Sequence, residues 1–283
     1  MNKVIYIGEL ALNVELSHDG SASTRVGDRI VSAAVLDGMM GVETLFVGEA
    51  SADAVGDHIV GYLDKNGVDT RSVDRFTEGA SPVRISAASS PDEKGTVIHS
   101  AFPSEPVNPV WPRVNEGDVV IFGSYMALDK RNHQQIIDLL KHSSARKATV
   151  VSMPYFDIKR VPRITRVMPE IFDNLEVADL VLLTRHDLDA LFPGEETAAA
   201  FRDHILFYCK RCMVMDRDAL TMHFFDGNES WTLKCHPTDL DEAHWTAGAV
   251  AGVARALAEG MTDPDDIMAK ANETAHSELA AGI

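Results

Sequence analysis

FVGEASADAVGDHIVGYLDKNGVDT, Phe46–Thr70, decides the fold. The run Thr44–Gly48 has the apolar, β-rich composition of a buried strand. From Ala52 to Asn66, Val55, Ile59, Tyr62 and Leu63 recur at spacings of three and four, so one face of a helix turns inward and Gly67 stops it. Asp53 stands where a helix N-terminal cap belongs. A strand feeding an amphipathic helix through a short turn is the repeating unit of a parallel, helix-covered sheet.

The rest of the chain repeats that unit. Upstream, Val4–Ile7 reads as a buried strand ending at Gly8, Leu12–Leu16 alternates like a half-exposed strand, His18–Ser23 is rich in turn residues, and Arg29–Met40 suits a helix closed by Gly41. Downstream, Pro82–Ser89 and Thr96–Phe102 alternate around PDEKG as a hairpin. After a proline-rich loop, strands are expected at Asp118–Gly123, Ala148–Met153, up to Thr184, and at Cys212–Asp216, with a second hairpin running from Met222 into SWTLKC. Helices are expected at Lys130–His142, Thr197–Tyr208, Ala243–Glu259 and Ile267–Leu279, and Arg163–Asn174 reads as helix or loop. The sum is one α/β domain, residues 1–283: a mainly parallel central sheet flanked by helices, with a small antiparallel β lid from about 11–17 and 81–103.

Composition narrows the function. With 283 residues, 45% hydrophobic and 24% charged, the chain has a core-forming balance. Its 26 basic and 43 acidic residues give a net charge of −17, which opposes nucleic acid and anionic membrane as partners. No stretch is long and apolar enough to span a bilayer, and Val4–Leu16 is interrupted by Glu9, Asn13 and Glu15. The three cysteines Cys209, Cys212 and Cys235 form no disulfide framework, so the cytoplasm is the expected location.

The order of elements resembles the ribokinase/PfkB family of carbohydrate kinases. Within Phe46–Thr70, Gly48, Asp53, Gly56, Leu63, Gly67, Val68, Asp69 and Thr70 match that family's run, with Ser51 in place of one glycine. GELALN (Gly8–Asn13), WTAGAVAGVARALAEG (Trp245–Gly260) and KANETAHSELAAGI (Lys270–Ile283) are similar to its first strand, last long helix and closing helix. The resemblance covers the whole chain. It implies ATP- and Mg²⁺-dependent phosphoryl transfer to a sugar or nucleoside hydroxyl and a homodimer joined through the β lid. Substrate contacts are implied for Asn13, Asp28 and Ser32, and nucleotide contacts for Thr184, Asp187, Gly248 and Asn272.

The reactive positions depart from the family pattern. The sugar-gripping Gly-Gly with a downstream Asn becomes Gly27, Asp28 and Ser32. Asp-Pro-Asn becomes Met153, Pro154 and Tyr155, Asn-x-x-Glu becomes Thr184 and Asp187, and the nucleotide-loop glycines fall near Met215 and Asp218. The Gly-Ala-Gly-Asp that opens the long helix becomes Leu240, Asp241, Glu242 and Ala243. Those glycines let backbone N–H groups at a helix end approach the moving phosphate, and the Asp takes the hydroxyl proton. Ala243 cannot take a proton, so Asp241 and Glu242 are the displaced-base candidates, and inefficient transfer is expected. The alternative is a non-catalytic pseudokinase that binds a sugar or nucleoside.

Several residues admit two readings. Asn13 and Asp28 suit sugar hydroxyls, but Asn13 also suits a wet lid position. Tyr155 and Phe156 suit either ring stacking or closure of a pocket. Cys209-x-x-Cys212 with Cys235-His236 has zinc-ligand types, against small core residues, and the latter is favoured. His236, Asp239, Asp241 and His244 suit a divalent ion less well than a solvated helix-capping loop. No metal ligand is assigned. The spacing of Ala247, Gly248, Ala251 and Gly252 reads as close packing of the helix on the sheet, not as a cofactor box.

Overall fold

The computed structural model describes residues 2–90, 93–154, 161 and 163–282. Strand β1 (Val4–Ile7) is followed by β2 (Leu12–Leu16), β3 (Ala22–Val26), helix α1 (Arg29–Met39), β4 (Thr44–Ser51) and α2 (Ala54–Lys65). Short strands β5 (Val68–Asp69) and β6 (Val73–Phe76) precede the long pair β7 (Ala80–Ser90) and β8 (Glu93–Ala101). The second half runs β9 (Val119–Gly123), α3 (His133–Ala145), β10 (Thr149–Met153), α4 (Met168–Glu176), β11 (Leu180–Thr184) and α5 (Arg185–Leu191). Then come α6 (Thr197–Ala200) with a π-helical turn at Phe201–Ile205, β12 (Arg211–Asp216), β13 (Thr221–Asp226), β14 (Glu229–Lys234), α7 (Glu242–Ala258) and α8 (Pro264–Ala275).

The large sheet has the order β14-β13-β12-β11-β10-β9-β1-β4-β5, with β6 also on β4. It is parallel from β12 to β5, and β13 and β14 close one side antiparallel. Buried on both faces, its inner strands are continuous apolar runs; Val4, Ile5, Tyr6 and Ile7 are all at most 1% exposed. Alternation sends Val4 and Tyr6 into the core shared with α1, α2, α7 and α8, and Ile5 and Ile7 into the opposite core with α3.

The smaller sheet has the order β3-β2-β7-β8 and forms the lid. Its hairpins are antiparallel, and its middle pair, β2 with β7, is parallel. Register places Arg25, Asn13 and Arg84 in one row, and Val14, Ile85 and Val97 in the next. Adjacent rows face opposite sides, so the polar row looks into the site and the apolar row looks out. Leu16, Ile85 and Val97 are exposed on that outer side.

Three local expectations change. The turn-rich stretch expected at His18–Ser23 yields at Ala22 to β3, whose residues Ala22–Thr24 are exposed and carry no burial pattern to read. Arg185–Leu191 is a helix too short to show periodicity, announced only by its capping residues. The helix expected from Thr197 to Tyr208 is one α-turn that widens into a π turn. The close packing of α7 falls on α8 and not on the sheet: a Cβ on Gly248 would meet Ala275 Cα at 2.6 Å, and one on Gly252 would meet Ala271 Cα at 2.6 Å.

Candidate functional site

Ligands of open α/β sheets gather at the carboxyl ends of the strands, and here that edge lies under the lid. β1 and β9 end side by side, and the Ser124 hydroxyl accepts a hydrogen bond from the Glu9 backbone N–H at 2.9 Å. Ser124 holds φ at +57°, a conformation L-residues adopt only when the surroundings impose it.

The entry to α1 forms one wall. Gly27 has φ of +74°, and a Cβ there would lie 2.2 Å from Val31 Cβ, so the turn admits only glycine. Its carbonyl accepts from Asn13 Nδ2 at 2.5 Å, tying the lid strand to the helix start. Asp28 caps α1, with Oδ1 accepting from the N–H groups of Ile30 and Val31 at 3.0 and 3.4 Å. Asp28 is only 7% exposed. Its second oxygen, Oδ2, is buried with no hydrogen-bond donor among the described residues. Burial pushes the Asp28 carboxyl up; Arg84 opposes that rise and Glu9 adds to it.

These groups enclose a cavity of about 160 Å³. Asn13, Asp28 and Ser32 line it together with Glu242 and Ala243 from the start of α7, and Arg25, Arg29 and Arg84 complete the wall. The three expected substrate residues and one base candidate thus meet in one pocket. Asp241 lies outside it, on a neighbouring groove with His58, Tyr62 and His244. Its side chain caps α7, accepting from the His244 N–H at 2.8 Å and lying 2.7 Å from His244 Nδ1. Burial alone would raise Asp241, but the His244 amide and ring, with Arg25 nearby, outweigh it and hold the carboxyl below its usual range. Such a carboxylate is a weak proton acceptor.

On the other side of Glu242 lies a second cavity of about 150 Å³, lined by Arg185, His186, Asp189, Asp216, Arg217 and Asp218 among others. Glu242 lines both. Arg217 braces the loop before α7 by donating to Leu240 O at 2.9 Å and Thr238 O at 2.8 Å. Thr184 and Asp187 form the capping box of α5, with the Asp187 N–H donating to Thr184 Oγ1 at 3.0 Å and the Thr184 N–H to Asp187 Oδ2 at 3.2 Å. Arg29 crosses from α1 to reach the same carboxylate at 2.7 Å, and the Asp187 side chain is fully buried.

A magnesium site on Thr184 and Asp187 does not fit these contacts. Both groups are spent on each other, and a buried guanidinium already neutralises the carboxylate. Among the described residues no group of three His, Cys, Asp or Glu side chains is placed to hold a metal. Cys209 and Cys212 share a core with β11 and β12, while Cys235 belongs to the other face. Burial pushes the Cys209 and Cys235 thiols up to about 11, away from the thiolate form.

Of the remaining expected nucleotide residues, Gly248 lies against α8, and Asn272 is buried in α8 with its carbonyl accepting from or facing His276 Nδ1 at 2.7 Å. Tyr155 and Phe156 lie outside the described residues. Sequence reading passed over Glu9, Glu49, Arg29, Arg84 and Arg217. For Glu9 and Glu49 a signal existed, since each is a carboxylate set beside an apolar strand run, in YIGEL and FVGEA.

No protein-family model and no curated protein matches the sequence. Solved structures do. The chain is similar to fructokinase from Vibrio cholerae O395 in its apo form, with a TM-score of 0.84 at 13% identity over 99% of this chain and 97% of that one. Aminoimidazole riboside kinase from Salmonella enterica, complexed with aminoimidazole riboside and an ATP analog, gives 0.82 at 16% over 99% and 92%. Fructokinase with bound ATP from Xylella fastidiosa gives 0.77 at 17% over 100% and 94%. No described helix is long and apolar enough to cross a membrane. With the sheet order, the lid and these neighbours in agreement along the whole chain, this protein has the fold of the ribokinase/PfkB sugar kinases.

Proposed function

We propose that this protein is a slow ATP-dependent kinase of a sugar or nucleoside hydroxyl, with Glu242 as the general base. The observation that supports this reading is the position of Glu242 on the walls of both the Asp28 pocket and the α5–β12 cavity. A hydroxyl held by Asn13, Asp28 and Ser32 would lie on one side of that carboxylate and the phosphoryl donor on the other. ATP arrives with its magnesium ion, and Thr184 and Asp187 add no ligand to it. Transfer is slow because the Asp241 side chain already takes the His244 N–H that a phosphate would use, and no glycine opens the helix end. ADP formation from ATP that depends on the acceptor, assayed against a panel of sugars and nucleosides, should fall ~10²–10⁴-fold in Glu242→Gln. Unchanged turnover would remove Glu242 from the chemistry.

A second reading is a non-catalytic sugar- or nucleoside-binding protein, which the buried Arg29–Asp187–Thr184 lock favours. Calorimetry separates the two: micromolar, magnesium-dependent ATP binding supports the kinase, and its lack supports the binding protein.

The exposed face carrying Leu16, Ile85 and Val97 supports a homodimer joined through the outer side of the lid. Light scattering should report a dimer that Val97→Glu converts to monomer; a wild-type monomer at high concentration would remove the proposal. Three buried unpaired thiols suit the cytoplasm.

A further inference from the structure

Next to the Asp28 pocket lies a larger cavity, about 260 Å³, for which phosphoryl transfer to a small sugar has no use. Among the described residues it is lined by Phe102, Tyr125, Met126, Leu128 and Val167 together with Glu9, Glu49 and Asp129. Those carboxylates already have cations. Glu9 meets Arg84 at 2.8 Å, Glu49 grips the Arg131 guanidinium and accepts from Asn132 Nδ2 at 3.2 Å, and Asp129 meets Arg131 Nε at 3.3 Å. Among the described residues, the rest of the wall is aromatic and aliphatic.

The cavity is also held open by its own framework. Arg131 lies over the Phe102 ring, 5.1 Å from its centroid, and donates to Pro103 O at 3.2 Å and Glu105 O at 3.1 Å. It thereby fixes the segment that leaves the lid against β4 and the start of α3. The two cavities meet at one ion pair, because Glu9 lines the larger, Arg84 lines the smaller, and their side chains touch. Together their volumes reach the ~300–1,000 Å³ of ordinary small-molecule sites, which neither reaches alone.

We infer that the ligand is a polyol carrying a flat apolar ring, a nucleoside or an aryl glycoside, with its hydroxyls at Asp28 and its ring between Phe102, Tyr125 and Val167. This rests on the reading that the Asp28 pocket holds the polyol. A free monosaccharide fills only the smaller, polar half and leaves the apolar half wet. Burying a ring there adds affinity in proportion to the apolar area removed from water.

Calorimetry on the full chain, with methyl β-D-ribofuranoside, 4-nitrophenyl β-D-ribofuranoside and inosine as probes, tests this. Both ring-bearing compounds should bind at least tenfold more tightly than the methyl glycoside. That gap should close in Phe102→Ala and, independently, in Val167→Gln, while methyl glycoside binding stays unchanged in both. Equal affinity for all three probes, or a gap that survives both substitutions, overturns the inference. Asp28→Asn separates the two claims: it should weaken all three probes alike, and if it weakens none, the assignment of the polyol to that pocket fails while the ring cavity stands on the Phe102 and Val167 results. Binding by no probe overturns both.

Discussion

Asp28 and Asp187 are both buried carboxylates at helix starts on the same edge of the sheet, and they are treated in opposite ways. Asp187 has every need met inside the chain: an N-terminal cap, the Thr184 hydroxyl and the Arg29 guanidinium. Asp28 caps α1 with one oxygen and keeps the other buried, with no hydrogen-bond donor among the described residues. A buried polar atom without a donor costs about 1–3 kcal/mol, which a ligand hydroxyl in the pocket that Asp28 lines would recover. In the function proposed above, the Asp187 carboxylate adds no ligand to the phosphoryl donor, while the Asp28 carboxylate keeps one oxygen for the acceptor.

The sharpest way to break that contrast is to remove Arg29. Arg29→Ala strands the Asp187 carboxylate in the interior, and we expect a loss of ~3–5 kcal/mol in urea unfolding, partly recovered by adding Asp187→Asn. A loss below ~1 kcal/mol would mean that the pair does little to hold α1 and α5 together.

Asp37 offers an intermediate case. Fully buried behind β1, it accepts from the Tyr6 hydroxyl at 2.6 Å, and burial, against the pull of Tyr6 and Arg255, lifts its pKa to about 7. Because the folded value lies above the unfolded one, folding binds a proton between them. Stability is fully present below about pH 4 and declines until about pH 7, then levels. Asp37→Asn should flatten that decline and make the protein more stable than wild type at pH 8, by up to ~4 kcal/mol. Parallel unfolding curves for the two proteins from pH 4 to 8 would rule this out.

The smallest effect on stability is expected at Asp28. Asn caps helices as well as Asp, so Asp28→Asn should shift stability by no more than ~0.5 kcal/mol while it weakens the ligand. A large destabilisation would mean that the open oxygen serves the fold after all.

Much of the fold was legible because it is written in local periodicity: Phe46–Thr70 alone specifies a strand, a turn, a helix and its stop. The grouping of Asn13, Asp28 and Ser32 with the α7 start was legible only through the resemblance. Arg29 and Asp187 were not, for they are 158 positions apart and no spacing rule joins them. Thr184-x-x-Asp187 carried its own local message as a capping box, and the family pattern overrode it. Arg84 was hidden in an alternating lid strand, where one wet face explains a charged residue without calling on a site.

Gly248 and Gly252 seat the backbone of α7 directly on α8, with no side chains between to slide. The beginning of α7, and Glu242 with it, is therefore an anvil that stays still. Any tightening around a ligand falls to the opposite jaw, the lid, which joins the main body through single-chain crossings near Ala11, Gly27, Gly79 and Phe102. Hydrogen exchange should slow in β2 and β7 when a ligand binds and stay unchanged along Ala247–Ala254.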